Sequence, residues 1–138
     1  MSVRRDVNAA RDIGLPIYPG AVPVRDRGEE SGNVNIGTAW FGLKVAAAKF
    51  ESDDAPERVL DFYRKEMRTY GSVTECRGNV DFQGKKGDKQ PVCREKPSPS
   101  SDIQLITGTE ERQRIAAVKR RGDGSEFSLV YVETRDGN

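Results

Sequence analysis

The side chains whose spacing could most directly support catalysis are the neighbouring carboxylates Asp53 and Asp54. Two carboxyl groups in different surroundings can divide the work of a general acid and a general base. The same residues open the pattern Asp54-Ala-Pro-Glu57, in which an acidic side chain caps a helix and a glutamate follows three positions later. Because this pattern is typical of a helix start, we interpret the doublet as a capping element, and catalysis is the weaker interpretation.

The absence of histidine narrows the chemistry further. Without an imidazole, Ser-His-Asp and Cys-His nucleophile systems are excluded, as is the side chain that most often acts as a general base near neutral pH. The two cysteines of the chain are too few for the common structural zinc sites. We therefore predict no catalytic, cofactor-binding or metal-binding residues.

Cys76 and Cys93 enclose a polar stretch of the chain. Their wide separation does not fit a C-x-x-C redox motif, which leaves a structural disulfide or two free thiols. A bridge that closes a loop of this size would stabilise the fold by about 3 kcal/mol in the chain-entropy description. We favour a Cys76–Cys93 disulfide on the condition that the protein resides in an oxidising compartment, and reduced thiols in the cytosol are the alternative.

Two glycine-containing stretches, 84–87 and 122–124, do not follow a P-loop or dinucleotide-binding pattern. The second stretch lies in a segment that we predict to be the turn joining the last two strands. This segment is a candidate interaction turn, formed by Arg120, Arg121, Gly122 and Asp123. A solvated hairpin tip explains the same residues, and chance explains the Arg-Gly-Asp tripeptide within them.

The 138 residues suit a single domain that can form its own core. Apolar residues make up 35% and charged residues 33% of the chain, which indicates a strongly solvated surface. The net charge of +1 lacks the basic excess of nucleic-acid binders, so we expect no nucleic-acid partner. We also expect no transmembrane segment, because no apolar run approaches the roughly 18 residues that one needs. The first residues lack the apolar core of an export signal, which fits either a cytosolic protein or an exported one whose signal has been removed.

The strongest local pattern predicts a helix over residues 55–70. Apolar residues recur there at spacings of three and four, which places them on one face, while charged residues take the other. The stripe consists of Val59, Phe62, Tyr63, Met67 and Tyr70. Gly71 is a natural end for this helix.

Alternating or continuous apolar runs predict strands on both sides of the helix. We expect them near 22–25, over 34–50 with a break at 41–42, and at 73–76, 103–107, 114–119 and 126–132, with a loop or irregular hairpin between the cysteines. This order indicates an α+β fold, with an antiparallel sheet of about five to six strands and one main helix packed on one face. Residues 15–134 would form the domain, with a tail or linker at 1–14 and a tail at 135–138.

Several segments of the chain resemble a pattern found in small uncharacterised exported bacterial proteins of the acidobacterial type. The resemblance spans most of residues 13–133, and it rests on Pro16-Ile-Tyr-Pro-Gly-Ala21, Phe50-Glu-Ser-Asp-Asp54, Val59-Leu-Asp-Phe-Tyr-Arg64, Thr74-Glu-Cys-Arg77 and Gly124-Ser-Glu-Phe127. It implies export to the periplasm or beyond the cell, or attachment as a lipoprotein. It implies no activity.

These observations favour a non-catalytic domain of the cell envelope that binds a protein or another envelope component through its sheet face or loops. The alternative is an enzyme that uses only carboxylates and arginines, acting on a carbohydrate or a phosphate-containing substrate. A third interpretation is a structural module of a longer polypeptide. A deep pocket lined by two carboxylates or by converging arginines would favour the enzyme.

Overall fold

A computed structural model describes residues 13–24, 43–78, 80–94 and 102–134. Its elements are β1 (Val22–Pro23), β2 (Leu43–Ser52), α1 (Pro56–Met67) with a 3-10 turn (Arg68–Tyr70), β3 (Thr74–Arg77), β4 (Val80–Gln83), β5 (Gln90–Cys93), β6 (Ile103–Thr109), β7 (Arg112–Arg121) and β8 (Gly124–Thr134). The first part of the strand expected at 34–50 lies outside the described residues, as do most of the predicted tails.

The helix and its 3-10 extension occupy the region that the apolar stripe predicts. Val59, Tyr63 and Met67 of the predicted stripe are buried, whereas Phe62 is half-buried and Tyr70 is exposed. Leu60, which the stripe does not include, is also buried, so the spacing of three and four marks most of the face that meets the core but not all of it. Pro56 stands in the first turn, where its missing N–H costs no intrahelical hydrogen bond. The helical conformation ends at Gly71, whose φ of 119° is readily adopted only by glycine.

Six strands form one antiparallel sheet in the order β1-β2-β8-β7-β6-β3, which confirms the α+β prediction. The last two strands form a hairpin in which Arg121 pairs with Gly124, so Gly122 and Asp123 are the predicted turn. Gly124 has a further role, because a Cβ there would collide with the carbonyl oxygen of Ser52.

Alternation along β8 separates the two faces of the sheet. Phe127, Leu129 and Tyr131 are buried and share one hydrophobic cluster with the buried residues of α1, so we call this side the core face. The ring of Tyr63 lies 5.6 Å from that of Phe127. Val130 and Val132 point to the opposite side, the second face, where they are half-buried.

A separate two-stranded sheet, β4 paired with β5, fills most of the interval between the cysteines. We call residues 80–93 the clasped hairpin, because the Cys76–Cys93 disulfide joins the end of β5 to β3. The sequence predicts a loop or an irregular hairpin between the cysteines. The structure instead shows a regular hairpin with four paired residues in each strand.

The chain before β1 packs into the core. Ile13 is 0% exposed and Leu15 is 2% exposed, although the sequence places residue 13 in a tail. Short stretches of mixed polarity carry no period, so the burial of Ile13 depends on neighbours that are distant in the chain.

Candidate functional site

An open groove of about 610 Å³ lies where α1 meets β3, and it is lined by Arg64, Arg68, Gly71, Ser72, Val73 and Glu75. The helix supplies Arg64, and its 3-10 extension supplies Arg68 four residues later. The chain then returns through Gly71 and places Glu75 on β3. Glu75 pairs in register with the buried Leu105, which puts its side chain on the core face of the sheet.

Arg64 and Glu75 form a two-pronged ion pair within this groove. The Nε of Arg64 donates to Oε1 of Glu75 at 2.9 Å, and Nη2 donates to Oε2 at 3.0 Å. Arg64 also lies 3.2 Å from Asp61 and 3.5 Å from Glu57. The hydrogen bonds from Arg64 lower the pKa of the Glu75 carboxyl group, and the same bonds raise the pKa of Arg64.

These contacts limit what the groove can do chemically. A carboxylate whose pKa is lowered by a bound guanidinium is ionised and is a weak base, so Glu75 is poorly suited to proton transfer near neutral pH. The exposed guanidinium of Arg68 and the hydroxyl of Ser72 are hydrogen-bond donors suited to recognising polar or anionic partners. The groove is therefore better built for binding than for acid–base catalysis.

The carboxylate doublet does not cap the helix, which corrects the prediction from the sequence. Ala55 is the N-cap residue and makes no side-chain capping hydrogen bond. Asp54 instead accepts a hydrogen bond of 2.5 Å from the hydroxyl of Tyr18, and Asp53 is exposed. The capping pattern still locates the helix start correctly, because Pro56 and the acidic Glu57 favour the first turn by themselves.

Asp54 belongs to a network that ties the chain before β1 to the domain. The Tyr63 hydroxyl donates to the Pro16 carbonyl and accepts from the Tyr18 amide, both at 2.9 Å. The hydrogen bond to Asp54 and burial raise the pKa of Tyr18, and burial raises the pKa of Tyr63. Both tyrosines are therefore neutral donors, and the network is structural.

The predicted disulfide is present. Cys76 and Cys93 are bridged with their Cα atoms 5.3 Å apart, and no free cysteine occurs in the chain. Cys76 is buried, whereas Cys93 is exposed. The candidate interaction turn is separate from the groove and from the bridge, since it joins β7 to β8.

Within this turn, Arg120, Gly122 and Asp123 are exposed. Arg121 forms ion pairs of 3.2 Å with Glu51 and 3.3 Å with Glu126. The Arg-Gly-Asp tripeptide thus has its arginine engaged on the sheet, and a contact between this turn and a partner stays a prediction.

Sequence reasoning missed a stacked arginine on the core face. The guanidinium carbon of Arg114 lies 3.8 Å from the centre of the Tyr70 ring and 4.7 Å from that of Tyr131. Its Nε donates to the carbonyl of Ile13 at 2.8 Å, and the Tyr70 hydroxyl donates to the carbonyl of Gly14. The two aromatic residues and the arginine are far apart in the chain, so no local spacing identifies the cluster.

Within the described ranges, no cluster of three or more His, Cys, Asp or Glu side chains is arranged to hold a metal ion. In the same ranges, no helix has the length and apolar character that spanning a bilayer requires. Comparisons of the chain with protein-family models, with curated proteins and with solved structures found no match. The contacts of the chain itself are therefore the basis for proposing a function.

Proposed function

We propose that this protein is a non-catalytic domain of the cell envelope that binds a protein or another envelope component. The observation that carries the proposal is the state of the groove carboxylate: Glu75 is held by two hydrogen bonds from Arg64. The groove beside it is open and presents an exposed arginine, Arg68. Such a surface supports recognition of a polar partner more readily than chemistry on an enclosed substrate.

Placement in the periplasm, outside the cell or on a lipoprotein anchor is part of the same proposal. The disulfide supports it, because such bridges persist in oxidising compartments. The resemblance to exported proteins of the acidobacterial type points in the same direction. We further infer that α1 lies across the core face and leaves the second face and the loops for contacts.

Binding is tested with envelope material from the native organism. Purified wild-type protein and the variant Arg68→Glu are incubated with peptidoglycan sacculi and with detergent-solubilised envelope proteins, and retention is quantified. We expect the charge reversal in the groove to reduce retention at least about fivefold. Arg58→Glu, at an exposed position in the first turn of α1 and outside the residues that line the groove, is the matched control. Equal retention of wild type and Arg68→Glu would contradict a binding role for the groove.

The enzyme alternative has its own experiment. An activity of the groove would involve Glu75, the one carboxylate among its lining residues. Wild type and Glu75→Gln are assayed for hydrolysis of glycosides and phosphate esters. Turnover that the substitution abolishes would replace the proposal with a carboxylate-dependent enzyme.

The compartment is tested by titrating thiols. Protein isolated from native cells with an alkylating agent present from lysis should show no reactive thiol until a reductant is added. Two alkylated cysteines in that protein would contradict residence in an oxidising compartment.

A further inference from the structure

The clasped hairpin crosses the second face of β6. One anchor is the disulfide to Cys76, which pairs in register with Gln104 near the start of β6. The other is a hydrogen bond of 2.9 Å from the Glu110 amide, just past the end of β6, to the carbonyl of Lys89. Since β5 connects these anchors and contacts both β3 and β6, it runs along β6 from one end to the other.

An apolar row lies on the second face and ends beneath this hairpin. Ala47, Val130, Ile115 and Ile106 are register partners across four adjacent strands. Ile106 is 1% exposed, whereas the other three are half-buried. The hairpin therefore lies over the Ile106 end of the row and leaves the rest partly accessible.

The hairpin has little that would hold it there without the bridge. No residue of β4 or β5 is fully buried, and the apolar Val80, Phe82 and Pro91 are half-buried. The six residues between the two strands, Gly84 to Lys89, are glycines or charged residues. Besides the hydrogen bond to the Lys89 carbonyl, contacts to β6 come from Gly78, just before the hairpin, whose carbonyl accepts from the Gln104 side chain at 2.6 Å.

The two sulfur atoms of the bridge differ in access. Cys93 is exposed and Cys76 is buried, so an external thiolate reaches the sulfur of Cys93. Its attack forms a mixed disulfide with Cys93 and breaks the bond to Cys76, which leaves as a thiolate and takes up a proton. The second thiol of a dithiol then attacks the mixed disulfide and frees Cys93. Two electrons pass from the dithiol, which becomes a cyclic or protein disulfide, to the bridge.

We propose that the Cys76–Cys93 bridge is a redox-released clasp. Reduction by a dithiol releases the clasped hairpin from the second face, uncovers Ile106 and lengthens the accessible apolar row, while the six-stranded sheet stays folded. This inference goes beyond the proposed binding function, since it does not depend on what the domain binds.

Limited proteolysis of the full chain tests the release. Trypsin cleavage in the hairpin tip, at Lys85, Lys86 and Lys89, is timed by mass spectrometry with and without dithiothreitol. We expect reduction to accelerate it about tenfold or more. Cleavage after Arg120 and Arg121, in the turn between β7 and β8, is the internal control and should not change. The double variant Cys76→Ser, Cys93→Ser should be cleaved at the fast rate without reductant and should not respond to dithiothreitol.

Two further readouts identify the mechanism. Glutathione, a monothiol, should be trapped on Cys93 and not on Cys76. A dye that binds apolar surface should gain fluorescence on reduction of the wild type, and the gain should be smaller in Ile106→Thr.

Unchanged cleavage in the tip after reduction would show that non-covalent contacts hold the hairpin. Loss of amide-exchange protection in β7 and β8 after reduction would show that the bridge supports the whole fold. Either result overturns the proposal.

Discussion

At the scale of single residues, Tyr63 and Glu75 are each engaged in specific contacts. The Tyr63 hydroxyl bridges the Pro16 carbonyl and the Tyr18 amide, and Glu75 is bound by Arg64. Each arrangement satisfies polar groups that burial or proximity would otherwise leave unpaired. Their loss should therefore affect stability.

Replacing Tyr63 with phenylalanine should lower the free energy of unfolding by about 1–3 kcal/mol. The ring remains, but the Pro16 carbonyl and the Tyr18 amide both lose their partner. Urea denaturation of the two proteins measures the difference. Tyr70→Phe is the matched control, because it removes a hydroxyl that donates to a carbonyl at an exposed position. A larger loss in the control would contradict the role given to Tyr63.

Glu75→Gln should lower the free energy of unfolding by about 1 kcal/mol or less at pH 7, because both partners of the pair are partly exposed. The pKa of Glu75 is lower in the folded protein than in the unfolded chain. Its stabilisation is therefore complete above the unfolded pKa and is lost as pH falls through the folded pKa.

The difference between wild type and Glu75→Gln should accordingly shrink in denaturation curves recorded at progressively lower pH below about 4. Glu57→Gln is the control, since Glu57 is 75% exposed and lies 3.5 Å from the same arginine. Near neutral pH, Glu57→Gln should lower the free energy of unfolding by less than Glu75→Gln does. A difference that grows on acidification would contradict the assigned direction.

At the scale of elements, Gly108, near the end of β6, and Gly122, in the turn between β7 and β8, differ in how strictly glycine is required. Gly108 has a φ of 96°, and a Cβ there would collide with the carbonyl oxygen of Arg112 across the turn between β6 and β7. Gly122 has a φ of 61°, but a Cβ there would meet open space. A side chain at position 108 is therefore disfavoured both by the backbone conformation and by a steric clash. A side chain at position 122 is disfavoured by the backbone conformation alone.

Gly108→Ala should therefore cost about 2 kcal/mol or more of stability, and Gly122→Ala about 1 kcal/mol. Thermal unfolding followed by circular dichroism measures both. Comparable losses in the two variants would contradict the steric argument at Gly108.

The helix shows what local sequence specifies about an element. Its position follows from Pro56, Glu57 and the apolar stripe, and all three are local. The role of Asp54 could not be predicted, because its partner Tyr18 comes from a segment that reaches the helix start only in the folded chain.

At the scale of the whole molecule, the segment before β1 is an integral part of the core. Ile13 and Leu15 are buried, and side chains from α1, the 3-10 turn and β7 donate hydrogen bonds to backbone carbonyls of this segment. The domain therefore depends on contacts between its first described residues and elements close to its end.

Leu15→Ala should lower the free energy of unfolding by about 2–5 kcal/mol, the range for deleting a fully buried leucine side chain. Ile17→Ala is the control, since Ile17 is only partly buried against the same cluster, and its cost should be smaller. Urea denaturation measures both, and a negligible loss for Leu15→Ala would show that the segment is dispensable.

Local patterns in the chain predict the α+β class, the helix at its apolar stripe and the strands of the last hairpin. With two cysteines only one intramolecular disulfide is possible, but the sequence leaves open whether it forms. The partners of the carboxylates become visible only in the folded chain. Asp54 binds Tyr18, and Glu75 binds Arg64. The same holds for the stacking of Arg114 between two tyrosines and for the two anchors of the clasped hairpin along β6. The physical reason is that these contacts join residues distant in the chain, and strand order and register, which a local pattern does not encode, bring them together.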